Sequence, residues 1–155
     1  MKNFDIHLLK YQRLLNEIQK HLNRLEYAFG RLKELEYIPL NYEKIDELLR
    51  REELVPLLDQ IIYRFFKIQE TLGKMLRGYL YINGENVENL PILDVVNIAN
   101  KYGIEIDKEK WLELRELRNI LVHEYEDETL KIADTINRIY DELKLIKRVL
   151  EQLKK

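Results

Sequence analysis

The chain has 155 residues and a formal net charge of -2, and 46% of its residues are hydrophobic and 35% charged, with only 5 Gly and 3 Pro. This length suits one domain with a substantial core, and the composition predicts an all-α bundle. Because the chain is slightly acidic overall, any nucleic-acid binding requires a local basic patch. The absence of Cys and Ser excludes Ser-based triads, Cys nucleophiles, disulfides and thiolate metal sites.

The amino-terminal half predicts three helices. The first follows an apolar seam with alternating spacings of four and three over about residues 4–36, formed by Phe4, Leu8, Tyr11, Leu15, Ile18, Leu22, Leu25, Phe29 and Leu32. Pro39 and Asn41 break this helix and begin a short one that runs through Leu48 and Leu49. A third helix begins near Pro56 and ends at the turn formed by Asn83 and Gly84.

The carboxyl-terminal half predicts three more helices. A short fourth helix over about residues 92–101 stops at Gly103, which can take the left-handed cap. Asp107 can cap a fifth helix over about residues 108–124, and the sixth runs from about residue 128 to the carboxyl end. Three long helices with the same seam predict an up-and-down bundle with small crossing angles.

The hydropathy pattern and the absence of Cys predict the cellular compartment. No apolar run approaches membrane-spanning length, and the first five residues contain no apolar signal core. The absence of Cys fits a reducing compartment. We therefore expect a cytoplasmic protein that does not cross a membrane.

The densest group of reactive side chains lies at the end of the fifth helix, where Arg118, Asn119, His123 and Tyr125 fall within eight residues. Arg is a permanent cation suited to phosphate, and His can give or take a proton near neutral pH. On a helical wheel, Arg118 and Tyr125 share one face, and Asn119 and His123 share a second. The stripe that should face the core is formed by Leu114, Leu117 and Leu121.

The spacing of Arg118 and His123 has a geometric consequence. Five residues correspond to about 140° of rotation on a helix, so a regular helix splays the two side chains. Either the long Arg side chain reaches around the helix, or a second copy of the helix completes the pocket. The second arrangement predicts a homodimer.

The pattern Arg-(four residues)-His-any-Tyr, with Asn119 after the Arg, resembles the motif of HEPN proteins, and within that superfamily the HepT branch. The order of a long helix, a second long helix with Arg64-Phe65-Phe66 and Lys74, and then Trp111 resembles the nucleotidyltransferase-substrate-binding type. The resemblance covers most of residues 1–150, although only residues 118–125 are specific. It implies that residues 1–155 form one HEPN/HepT-like helical domain, which pairs as a homodimer with both motifs lining a shared cleft.

The resemblance also implies a function. Many such proteins are metal-independent endoribonucleases that act as the toxin of a toxin–antitoxin pair. Their antitoxin is a minimal nucleotidyltransferase, which silences the toxin by transferring AMP to the motif tyrosine. Carried over, Arg118 and His123 are the catalytic pair acting on RNA, Asn119 is a supporting polar group, and Tyr125 is the AMP acceptor, with no cofactor and no metal. The alternative is a non-catalytic, substrate-binding partner subunit of a minimal nucleotidyltransferase.

The third predicted helix carries a weak basic patch that could hold RNA. Residues 60–82 contain Arg64, Lys67, Lys74 and Arg77 against a single acidic residue, Glu70, with aromatic residues among them that could stack bases but are more often core.

Other interpretations stay open at the sequence level. Arg118 could simply pair with Glu113 or Glu116, and the motif could be a coincidence in a structural bundle. The other two histidines, His7 and His21, are expected on a solvated flank of the first helix.

Overall fold

The computed structural model describes residues 3–124 and 128–154, and these residues form helices without any strand. The helices are α1 (Asn3–Glu34), α2 (Tyr42–Arg50), α3 (Val55–Ile82), α4 (Ile92–Lys101), α5 (Lys108–Glu124) and α6 (Thr129–Leu153). The predicted all-α fold is confirmed. None of the described helices is both long and apolar enough to cross a bilayer.

The long helix α3 lies at the centre of the bundle and packs against α1, α2, α4, α5 and α6. Helix α1 runs antiparallel to α3, because Tyr11 near its start packs on Gly78 near the end of α3. Helix α5 also runs antiparallel to α3, since Trp111 in its first turns packs on Gly73. Helix α3 therefore packs against α1 on one side and against α5, which carries the Arg118 motif, on the other.

The predicted seams form most of the core, although the seam of α1 begins later than expected. Leu22, Leu25, Phe29 and Leu32 are buried, whereas Phe4 is 48% exposed. This end of α1 meets the last turn of α3, where the ring centroids of His7 and Tyr81 lie 3.9 Å apart with the ring planes tilted by 34°. The expectation that Phe4 belongs to the buried seam was therefore wrong.

Local capping and backbone conformation mark the start of α5 and the ends of α4 and α1. The Asp107 carboxylate accepts a hydrogen bond from the Lys110 backbone N–H at 2.8 Å, which confirms the predicted cap of α5. Gly103, after α4, has a φ of 97°, in the left-handed region that glycine tolerates. Glu36 takes the same region after α1 with a φ of 65°, although it carries a side chain.

Candidate functional site

The apolar stripe of α5 determines which way the motif faces. Leu114, Leu117 and Leu121 are buried, as predicted, together with Trp111. The stripe packs α5 against α3 and α6. Arg118 follows Leu117 at the margin of the stripe and is partly buried against α3.

The Arg118 guanidinium is held by three neighbours. Its Nη1 donates to the Gln69 side-chain oxygen at 3.2 Å, and its Nη2 donates to the Asn119 oxygen at 2.9 Å. Its Cζ lies 5.5 Å from the centre of the Phe66 ring, within the range of a cation–π interaction. Because it binds neutral partners, Arg118 keeps its full charge for another ligand.

The acidic residues proposed as alternative partners of Arg118 are engaged elsewhere or make no bond to it. Glu113 accepts from Lys110 at 3.0 Å and from Arg138 at 2.7 Å. Among the described residues, no salt bridge joins Glu116 to Arg118. The interpretation of Arg118 as the ion-pair partner of Glu113 or Glu116 is therefore wrong.

His123 lies in the last turn of α5, and its side chain is exposed. Within the described part of the chain, no hydrogen bond joins His123 to Arg118 or to Asn119, whose oxygen accepts from Arg118. The two predicted catalytic side chains therefore do not meet through a hydrogen bond within one subunit. Tyr125, the predicted AMP acceptor, lies outside the described residues.

Arg118 lines a cavity of about 310 Å³ between α3, α4 and α5, which we call the cationic cavity. Lys74 and Arg77, two of the four predicted RNA-binding residues, line it together with Arg115, which the sequence analysis missed. The other lining residues are Gln69, Glu70, Gly73, Ile92 and Trp111. The cavity therefore concentrates positive charge beside Arg118.

The other two residues of the predicted basic patch lie on the α1 side of α3. Arg64 Nη1 is 2.8 Å from His21 Nδ1, and the guanidinium lies 5.2 Å from the Tyr63 ring centre. Lys67 lies 5.8 Å from the same ring. The basic patch is thus divided between two environments rather than continuous.

His21 is only 7% exposed, so its predicted place on a solvated flank was wrong. Burial lowers the pKa of His21, and the nearby Arg64 cation lowers it further. Because guanidinium groups only donate, the short contact requires an unprotonated Nδ1 that accepts. The spacing from Ile18 and Leu25 already puts His21 on the buried stripe of α1, whereas its partner Arg64 comes from α3 and is not visible in that pattern.

A second cavity of about 370 Å³ adjoins Phe66 and is mostly apolar. Its lining includes Tyr63, Leu121 and Val122, and the Val122 side chain is 52% exposed. We refer to Tyr63, Phe66, Gln69, Arg118 and Val122 together as the α3–α5 face. This face places exposed apolar groups directly beside a fixed cation.

The described residues contain no group of three His, Cys, Asp or Glu side chains that could hold a metal ion. Besides Arg115, the sequence analysis missed Gln69, which is buried and binds Arg118. Its signal was present, because a polar residue within the aliphatic seam of α3 needs a buried hydrogen-bond partner.

Comparisons of the chain with protein-family models, with curated proteins and with solved structures gave no match. The function is therefore inferred from the geometry of the α3–α5 face and from the motif on α5.

Proposed function

We propose that the protein is a metal-independent endoribonuclease of the HEPN type, the toxin of a toxin–antitoxin pair, working in the cytoplasm as a homodimer. The observation that carries the proposal is the environment of Arg118. Its guanidinium is fixed by Gln69, Asn119 and Phe66, has no carboxylate partner among the described residues, and lines a cavity rich in cations. His123 is exposed on the same helix.

The proposed chemistry is transfer of the phosphodiester to the neighbouring 2′-hydroxyl of RNA. The 2′-hydroxyl gives its proton to a base and bonds to phosphorus, and the 5′-oxygen leaves and takes a proton. His123 supplies proton transfer, because imidazole exchanges protons near neutral pH. Arg118 binds two phosphate oxygens and stabilises the negative charge that develops between them.

The proposed homodimer brings the two groups to one phosphodiester. Within one subunit they diverge by about 140° around α5. The exposed apolar groups of the α3–α5 face, Tyr63 and Val122, support pairing of this face with a second copy. In such a pair, Arg118 of one subunit and His123 of the other would line the same cleft.

Incubation of the purified protein with single-stranded RNA in the presence of a chelator tests the proposed activity. The wild type should cleave, and Arg118→Ala and His123→Ala should each abolish cleavage. Arg24→Ala and His7→Ala remove the same side-chain types from α1 and should cleave like the wild type. Equal cleavage by all five proteins would indicate a contaminating nuclease and contradict the proposal.

The proposed antitoxin is a minimal nucleotidyltransferase that transfers AMP to Tyr125 and thereby silences cleavage. Mass spectrometry after co-expression with such an enzyme tests this step. We expect AMP on Tyr125 and none in Tyr125→Phe. AMP on another residue, with Tyr125 unmodified, would contradict it.

A protein that binds the transferase but leaves RNA intact would instead be the non-catalytic partner subunit.

A further inference from the structure

The cationic cavity is a separate structural feature beside the proposed scissile site. Its volume of about 310 Å³ is at the lower end of the range for small-ligand sites, and it lies within one subunit between α3, α4 and α5. Its apolar wall is formed by Ile92 and Trp111, and Trp111 lies close to α3 because Gly73 has no side chain. A Cβ added at Gly73 would lie 3.3 Å from the Trp111 ring.

The charges that line this cavity do not neutralise one another. Lys74, Arg77, Arg115 and Arg118 face a single lining carboxylate, Glu70. Glu70 lies 3.9 Å from Lys74, and it is equally distant from Lys67 outside the cavity. One shared carboxylate at that distance leaves the positive charge in excess, so the cavity attracts anions.

Several donors around the cavity lack partners. Trp111 Nε1 and Arg118 Nε are buried without a hydrogen-bond partner among the described residues. Arg115 also makes no hydrogen bond or salt bridge within the described part of the chain. Buried donors are normally satisfied, so the first two lack the acceptor that such groups usually have. Arg115 is exposed, so its guanidinium is free to bind an anion in the cavity.

The fixed positions of two guanidinium groups indicate which class of anion the cavity would bind. Arg77 Nη1 donates to the Val87 carbonyl oxygen at 3.0 Å, and Arg118 is held by Gln69 and Asn119. Positioned guanidinium groups suit the several oxygens of a phosphate. Trp111 is only 4% exposed, so its ring offers no surface on which a base could stack.

We propose that the cationic cavity binds a phosphate group, with Arg115, Lys74 and Arg77 as its main ligands and Arg118 at its border. Its role rests on the proposed function: it would hold a phosphate of the RNA strand next to the one that is cleaved. The same chemistry would also accept a free phosphate, such as inorganic phosphate or pyrophosphate.

Trp111 is the only tryptophan of the chain, so its fluorescence reports directly on this cavity. Titration of the full-length wild type with pyrophosphate should give a saturable change in tryptophan emission. Arg115→Gln and Lys74→Gln remove exposed charges without touching the core, and each should weaken binding about tenfold. Lys144→Gln, which removes an exposed charge from α6, should bind like the wild type.

Two results would overturn the inference: no saturable change in the wild type, or unchanged affinity in both Arg115→Gln and Lys74→Gln. A competing 2′-deoxy oligonucleotide, which lacks the attacking hydroxyl, identifies the source of the phosphate. Displacement of pyrophosphate supports a strand phosphate, and no displacement supports a free phosphate. This assay measures binding without cleavage. A protein that cleaves RNA but does not bind pyrophosphate would therefore contradict the phosphate site in the cationic cavity and leave the proposed ribonuclease activity standing.

Discussion

At the scale of single residues, the position of the Arg118 guanidinium is determined by neutral partners rather than by an ion pair. The Gln69 and Asn119 side-chain oxygens accept hydrogen bonds from different guanidinium nitrogens, and the Phe66 ring makes a cation–π contact with the guanidinium. A lysine could not make both bonds in this geometry, because its single ammonium lacks the planar fork. Gln69 is thus a positioning residue for Arg118.

Replacement of Gln69 by Leu tests that role. The variant keeps the side-chain volume but removes the acceptor, so Arg118 loses one of its two fixed bonds. Hydrogen bonds to charged groups contribute about 1.5–3 kcal/mol, so we expect RNA cleavage to fall by at least about tenfold. The fall should appear mainly in kcat, because a misplaced guanidinium affects the transition state most.

Gln60→Leu is the matched control, since Gln60 lies on the same helix and makes no hydrogen bond to Arg118. Its kcat should equal that of the wild type. Equal kcat values for Gln69→Leu and Gln60→Leu would contradict the positioning role.

The contact between buried His21 and partly buried Arg64 predicts a pH dependence of stability. The folded-state pKa of His21 lies below its ordinary value of about 6.5, first because of burial and then because of Arg64. Below that ordinary pKa the unfolded chain therefore binds more protons, and the free energy of unfolding falls as the pH drops from about 7 to about 5. One such group contributes a slope of at most about 1.4 kcal/mol per pH unit.

Urea denaturation at several pH values checks this prediction. His21→Gln keeps an acceptor for Arg64 but cannot be protonated, so its stability should depend less on pH in this window. Glu17, Lys67 and Glu70 also influence His21 and are unchanged in the variant. The same slope in wild type and variant would show that His21 is not the group responsible.

At the scale of elements, the sequence predicted the helices well because their signals are local. The cap of α5 depends on Asp107 and the backbone three residues later, and the end of α4 depends on Gly103. The polar partners of Gln69 and His21 come instead from another helix, as Arg118 and Arg64 respectively. A pattern calculated along one helix cannot contain that information.

The same limit applies to the candidate site. The motif on α5 was visible in the sequence, and so were Lys74 and Arg77 on α3. Their placement around one cavity with Arg115 required the antiparallel pairing of α3 and α5, which Gly73 permits by letting Trp111 approach. The charge count along α3 predicted a single weak basic patch, and the structure divides it, because Arg64 and Lys67 lie on the α1 side of α3.

Removal of the α5 cap is a test at this scale. Asp107→Ala leaves the Lys110 backbone N–H without its acceptor, and such losses cost about 1 kcal/mol. We expect a decrease of that size in the free energy of unfolding, measured with urea. Asp107→Asn restores an acceptor and should recover most of the loss, whereas identical stability of wild type and Asp107→Ala would contradict the assignment.

At the scale of the whole molecule, the proposed function requires a homodimer through the α3–α5 face. Val122→Glu places a charge in the middle of that interface, so light scattering should show a monomer and RNA cleavage should be lost. Leu130 on α6 is exposed to the same extent, 53%, and Leu130→Glu should remain an active dimer. A Val122→Glu protein that still dimerises and cleaves would place the interface elsewhere.

The measurement that tests the central claim most directly uses a mixed dimer. Arg118→Ala and His123→Ala subunits, each with a different affinity tag, are co-expressed and the heterodimer is purified. If Arg118 and His123 of different subunits act on one phosphodiester, one of the two composite sites is intact, and the heterodimer should cleave RNA at about half the wild-type rate while both homodimers are inactive. An inactive heterodimer would contradict the shared site.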